Sequence, residues 1–462
     1  MTSDLHHGSV TRLAELIRGG ALSSYDLVTA HLARIERLNP SLNAVIEIAD
    51  SAVAQALEAD RATARGEVTG PLHGVPFTVK DVYAVSPETA QLRTAPGMPP
   101  RPDRPTADRD VAPARDATAD RDSTADRDST AVARLRAAGA ILVGVTKATL
   151  WTDREAHYGV THNPYDLSCT PGGSSGGEAA LVAAGVSPLG MGSDSGGSLR
   201  QPAHFCGVAT IRPSNGRVPR ATDADGMYDP RTVAGPLART VADVGLALSI
   251  ISGADWHDPT TLPVPLGDWR SVELASLRVA VHADNGLVPA TAETVATVRR
   301  AADALADAGA QLTEVVPPEL DLAWDITLDY WRRCGGDGTL RDYFGLLDRW
   351  QDYQRSAGAF MRAYDLILCP VEASPAPRRG GGADGNGGGG GDREQRVPEF
   401  TYTAPSSLLG WPAAVVRAGT SRGGLPIGVQ LIAGPLRDDV ALRAAAAVEA
   451  ATGGWQPAAG MA

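Results

Sequence analysis

Short apolar runs alternate with helical patterns along most of this chain, and that alternation restricts the fold more than any other feature. Phe77–Val79, Ile141–Val145, Leu277–Val281, Gln311–Val316, Asp365–Cys369 and Leu425–Ile432 are too short for helices and too apolar for surface loops, and Asn43–Ile48 resembles a short strand. Between them, helical spacing is found at Val10–Ile17, Ser51–Ala64, Ala131–Ala138, Gly176–Ala184, Val241–Ile251, Ala292–Ala308 and Asp438–Ala450. A further helix starts at Ser23 or Ser24, and Asn39-Pro40 is expected to end it near Leu38. Such a chain builds an α/β fold, a mixed central β-sheet covered by helices.

Two stretches break the pattern. Residues 97–130 carry TADRDS at 118–123 and again at 124–129, after a related TADRD at 106–110. With so little apolar surface to bury, this stretch is expected to be a disordered insertion. Residues 378–393 contain a glycine tract and are expected to form a flexible loop. Similar α/β material continues on both sides of each, so residues 1–462 are expected to form a single catalytic domain.

Composition excludes several functions. The formal net charge of −12 argues against a general nucleic-acid binder. No apolar run is long enough to span a membrane, and the opening MTSDLHHGSV does not read as a signal peptide. Cys169, Cys206, Cys334 and Cys369 are far apart and are expected to be buried small hydrophobes in a reducing cytoplasm. The nine His and four Cys show no metal-ligand spacing, so no metal and no cofactor is expected. Low aromatic content argues against an aromatic-lined carbohydrate or nucleobase site.

The chemistry concentrates in residues 169–200. Two Ser/Gly clusters, Gly172–Gly177 and Gly192–Ser198, flank an apolar helical stretch. Glycines let backbone N–H groups approach a ligand, and serine supplies a nucleophile once a base activates it. Gly172 to Gly176 also fits the G-x-S-x-G nucleophile elbow, but Leu167–Pro171 is a poor strand where the elbow requires a strong one. His157, His162 and His204 lie near enough in sequence to be the base, and each fits a structural role as well. The other candidate is Lys80. The chain has only two lysines, Lys80 and Lys147, and Lys80 ends an apolar strand, where burial is expected.

The run Gly74-Val-Pro-Phe-Thr-Val-Lys-Asp81, PGGSSGG at 171–177 and GSDSGGSLRQPAHFCG at 192–207 together resemble the amidase signature family. The resemblance continues through Arg212–Val218, Gly235–Asp243, Pro405–Pro412 and Gly424–Gln430. It departs at Lys147-Ala-Thr-Leu150 and at Ile211-Arg-Pro-Ser-Asn, which leaves neighbouring contacts open. The resemblance implies Ser198 as nucleophile, Ser174 as the cis-serine and Lys80 as neutral general base. It puts the oxyanion hole on the backbone N–H groups of Ser195, Gly196, Gly197 and Ser198, with Ser175, Asp194 and Arg200 in support. It implies an amidohydrolase that cleaves a small-molecule carboxamide through a seryl acyl-enzyme, with no membrane and no direct nucleic-acid partner. A homodimer stays open, and Lys147 has no assigned role. The alternative is an amidotransferase A-type subunit that draws ammonia from glutamine for tRNA-dependent amidation.

Overall fold

In a computed structural model of the chain, the described residues are 2–100, 127–149, 152–220, 229–334, 338–379 and 400–461. Most of the repeat-rich stretch at 97–130 and of the glycine tract at 378–393 therefore lies outside the described residues.

Among the described residues a mixed sheet of twelve strands runs through the molecule. In chain order these are β1 (Val45–Ala49), β2 (Pro76–Lys80), β3 (Leu92–Thr94), β4 (Ile141–Thr146), β5 (Leu189–Asp194), β6 (Ala209–Arg212), β7 (Val233–Ala238), β8 (Arg278–Val281), β9 (Gln311–Glu314), β10 (Leu366–Pro370), β11 (Ala413–Thr420) and β12 (Pro426–Ala433). Across the sheet the order is β3-β1-β4-β2-β5-β7-β6-β11-β12-β10-β8-β9. β4, β2 and β5 are mutually parallel, as are β10, β8 and β9, and the remaining pairings are antiparallel. Helices cover the sheet, so its central strands are buried on both faces, which explains their unbroken apolar runs.

The helix Val10–Arg18 shows how local sequence sets an element. Ser9 caps it by accepting from the Arg12 amide, and Val10, Leu13, Ala14 and Ile17 form its buried face. The next helix departs from the sequence expectation. It runs from Ser24 to Leu42, with Pro40 inside it. Pro40 sits on the exposed side of the last turn, where the missing hydrogen bond costs least. Leu38 and Leu42 are buried, and the Asn39 carboxamide accepts from the Ala44 and Val45 amides at 2.9 and 2.8 Å, which carries the chain into β1.

Other elements go beyond the periodicity. β5 contains Gly190 and Gly192, and β7 contains Gly235 and Pro236, all poor strand formers by composition. Packing requires those glycines. A Cβ at Gly190 would come within 2.3 Å of Glu178 Oε2, one at Gly192 within 2.6 Å of Ser175 Oγ, and one at Gly235 within 2.5 Å of the Ile211 carbonyl. The helices Leu320–Cys334 and Leu340–Phe360 pack beside β10 in a second apolar cluster. Cys169, Cys206 and Cys369 are buried as expected, but Cys334 is exposed, because it ends its helix beyond the packed face. Among the described residues no helix is long and apolar enough to cross a membrane.

Candidate active site

Lys80 and Asp194 are the last residues of neighbouring parallel strands, β2 and β5. The register sets Val79 opposite Met191, which brings Lys80 level with the start of the second Ser/Gly cluster. The carboxyl ends of parallel strands are where open α/β sheets gather their ligands.

Lys80 is 1% exposed. Its Nζ lies 2.6 Å from Ser174 Oγ and 2.9 Å from Ser193 Oγ. Ser174 follows a cis peptide bond from Gly173, and the next residue, Ser175, opens the buried helix Gly176–Ala183. The two clusters interlock. The Ser175 amide donates to the Ser198 carbonyl at 3.1 Å, Ser175 Oγ donates to the Ser193 carbonyl at 3.1 Å, and the Ser193 amide donates back to Ser175 Oγ at 3.2 Å. Ser198 itself is half-buried, so its side chain stands at the edge of the packed interior.

The loop between Asp194 and Ser198 is anchored at several points. Ser195 Oγ is 2.5 Å from Thr232 Oγ1, Thr403 Oγ1 donates to the Gly196 carbonyl at 2.7 Å, and the Gly197 carbonyl accepts from the Gln201 amide at 2.8 Å. Gly197 has φ +148°, and a Cβ there would fall 2.3 Å from Thr403 Oγ1. Asp194 is fully buried and bound by Arg200 through both oxygens, each at 3.0 Å, while its Oδ2 also accepts from the Leu199 amide. Burial opposes its charge, but the charges and bonds of Arg200 together with the Arg212 charge prevail and hold the carboxyl below its ordinary range. Arg200 is also fully occupied, donating to the Thr403 carbonyl, Ser406 Oγ, Ser407 Oγ and Gln430 Oε1.

The residues that the family resemblance assigned to this site therefore fall in one region, at the ends of β2 and β5, on the two interlocked loops and at the start of the helix Arg200–Cys206. The three histidines do not join it as bases. His157 Nε2 is bonded to the Pro100 carbonyl and His162 Nδ1 to the Leu167 carbonyl. Buried His204 receives the Gly428 amide on Nδ1 and meets the Ser374 carbonyl with Nε2, and burial lowers its pKa. No strand leads directly into Ser174, since Cys169 makes only an isolated bridge, and the nucleophile-elbow arrangement is not formed there. Lys147 is also fully buried, and its Nζ donates to the Gly159 carbonyl. Burial pushes its pKa down to about 7.

Several neighbours of the site escaped the sequence reading. Ser193, the second hydroxyl on Lys80, was hidden among the other serines of its segment. Glu178 is fully buried, accepts from Thr78 Oγ1 at 2.6 Å and Thr146 Oγ1 at 2.8 Å, and is raised by burial to about 8. A lone acid in the apolar run Gly176–Ala183 was the available signal. Glu372 comes from a segment with no motif. Its Oε1 accepts from Gln201 Nε2 at 3.0 Å, and Gln201 Oε1 accepts from the Gly173 amide at 3.0 Å. Among the described residues no group of three or more His, Cys, Asp or Glu gathers as a metal site.

Comparison with known proteins identifies the family. The amidase family model matches residues 26–98, 106–337 and 341–442. The chain is 33% identical to an indoleacetamide hydrolase of Bradyrhizobium diazoefficiens, over 96% of this chain and 86% of that protein. It is 33% identical to an acylamidase of Rhodococcus erythropolis, over 97% and 96%. It is 30% identical to the A-type subunit of the glutamyl-tRNA(Gln) amidotransferase of Chloroflexus aurantiacus, over 96% of each. Among solved structures, a bacterial aryl acylamidase superposes with a TM-score of 0.76 at 26% identity, covering 97% of each chain. With its buried lysine, its paired Ser/Gly loops and relatives that match nearly its whole length, the chain belongs to the amidase signature family of amide hydrolases.

Proposed function

We propose that Ser198, Ser174 and Lys80 together cleave the C–N bond of a small-molecule carboxamide, with the whole chain acting as one catalytic unit. The observation that carries this reading is the 2.6 Å contact between buried Lys80 Nζ and Ser174 Oγ, on a loop that is hydrogen-bonded to the Ser198 backbone. Neutral Lys80 takes the proton of Ser174 as Ser174 takes that of Ser198. The freed Ser198 Oγ adds to the amide carbonyl. The backbone N–H groups of Ser195, Gly196, Gly197 and Ser198 hold the developing oxyanion, an effect worth roughly 3–4 kcal/mol per donor in comparable sites. The C–N bond then breaks, Ser174 returns a proton to the leaving nitrogen, and an ester on Ser198 remains. Water, deprotonated through the same relay, hydrolyses the ester to the carboxylate and restores Ser198.

Similarity to an indoleacetamide hydrolase and an acylamidase favours a free small molecule as substrate. The amidotransferase reading has its own support in the similarity to glutamyl-tRNA(Gln) amidotransferase sequences, and it requires partner subunits that bind tRNA. We place the protein in the cytoplasm, and a homodimer is the assembly to look for by light scattering. The deciding experiment is an amide panel scored for ammonia and acid release, with wild type beside Ser198→Ala. Release that vanishes in the folded variant supports the assignment. Full activity in Ser198→Ala removes Ser198 as nucleophile, and release only from glutamine with co-purifying subunits favours the amidotransferase.

A further inference from the structure

We propose that Trp331 and Phe400 form a wall that receives an aromatic ring on the acyl part of the amide. The proposal rests on the hydrolytic reading above and adds the chemical class of its substrate. Aromatic residues make up only 5% of the chain, yet these two meet beside the reactive loop. Their ring centroids are 6.3 Å apart at 81°, an edge-to-face contact. A Cβ at Gly196 would come within 3.3 Å of Trp331 Cζ2, and one at Gly197 within 2.8 Å of Phe400 Cδ1. The rings thus lie directly against the loop that holds the acyl carbonyl in the hydrolytic reading.

Trp331 and Phe400 are both half-buried, whereas Trp350 and Tyr353 in the adjacent cluster are closed into the core. Trp324 backs Trp331 at 5.9 Å and 89°. The Arg231 guanidinium lies 4.0 Å from the Tyr330 ring and 5.8 Å from Trp331, and its charge is paired with Asp229 at 2.7 Å. The charge of Arg231 beside the wall is thus already paired, which suits an uncharged planar ring. Phe400 is also held in place rather than merely packed. It has φ +72°, a left-handed conformation that a bulky residue rarely adopts. Its amide donates at 3.1 Å to Glu372 Oε1, the oxygen that Gln201 also binds, so one carboxylate ties the wall to the Gly173–Ser174 loop.

The test compares kcat/KM for phenylacetamide and for hexanamide in wild type, Trp331→Leu, Phe400→Leu and Trp331→Phe, with Ser198→Ala as the blank. Wild type is expected to prefer phenylacetamide. Each Leu variant should lower the phenylacetamide-to-hexanamide ratio about tenfold, mainly through KM, while Trp331→Phe keeps most of it. Inhibition by phenylacetate should weaken in parallel. A wild type that prefers hexanamide, or Leu variants that lose both substrates equally, overturns the wall and leaves the hydrolytic reading standing. If wild type releases no more ammonia from any amide than Ser198→Ala does, both readings fall.

Discussion

Lys80 Nζ and Ser174 Oγ lie 2.6 Å apart, in a pocket where Lys80 is 1% and Ser174 9% exposed. The pair joins the end of β2 to the first serine loop, and Lys80→Arg tests what it needs. Arginine stays protonated in proteins and cannot accept the serine proton. Amide hydrolysis should fall by about 100-fold or more in both Lys80→Arg and Lys80→Ala. Near-normal turnover in the arginine variant would show that no neutral amine is required.

Ser193 Oγ gives Lys80 a second partner at 2.9 Å, which in the proposed mechanism would orient the amine from outside the relay. Ser193→Ala removes that hydrogen bond and keeps the backbone links to Ser175. We expect kcat to fall about tenfold with KM little changed, as for the loss of one hydrogen bond to a polar nitrogen. A change confined to KM would place Ser193 in substrate binding instead.

The Asp194–Arg200 pair holds the loop as much by hydrogen-bond count as by charge. Lysine keeps the charge at position 200 but cannot reproduce the two-pronged grip on Asp194 and the four further bonds. Arg200→Lys should destabilise the fold by about 3 kcal/mol, as when a buried pair loses its geometry. Urea unfolding measures this, and a loss under about 1 kcal/mol would contradict it.

Far from the site, fully buried His31 should make stability depend on pH. Burial lowers its pKa from 6.5 to about 3, against the favourable bond of its Nδ1 to the Val186 carbonyl at 2.8 Å. Between those values the unfolded chain binds a proton that the folded chain refuses. The contribution is complete above pH 6.5 and declines as pH falls toward 3. His6 and His282, both lowered to about 4 chiefly by burial, act in the same direction. Glu178 and Glu449, raised by burial to about 8 and about 7, act in the opposite direction above the ordinary glutamate range. A comparison of His31→Gln with wild type isolates the histidine. The melting temperature of the variant should fall less steeply with acidification between pH 6.5 and pH 3. Parallel curves would mean that His31 is not the titrating group.

What could be read before folding followed from local rules. The strands at Phe77 and Ile141 and the helix Val241–Ile251 were visible because apolar spacing is a property of neighbouring residues. Lys80 stood out because one of two lysines ended an apolar strand, and the Ser/Gly loops because their composition suits little else. β5 and β7 were hidden for a related reason. Their glycines and Pro236 lower local strand preference, while the need for those glycines comes from Glu178, Ser175 and the Ile211 carbonyl, which reach them only after folding.

By itself, then, the sequence determined the α/β class, the family resemblance and the residue types able to carry the chemistry. Only the tertiary structure decided which of them meet. Ser193 was set on Lys80, and Glu372 was bound to Gln201 and Phe400, by pairings across 113, 171 and 28 residues of chain. Trp331 was likewise brought against Gly196 from a helix far along the sequence. Such contacts leave no periodic trace, because each depends on how separate strands and helices are ordered around the sheet rather than on what precedes or follows a residue.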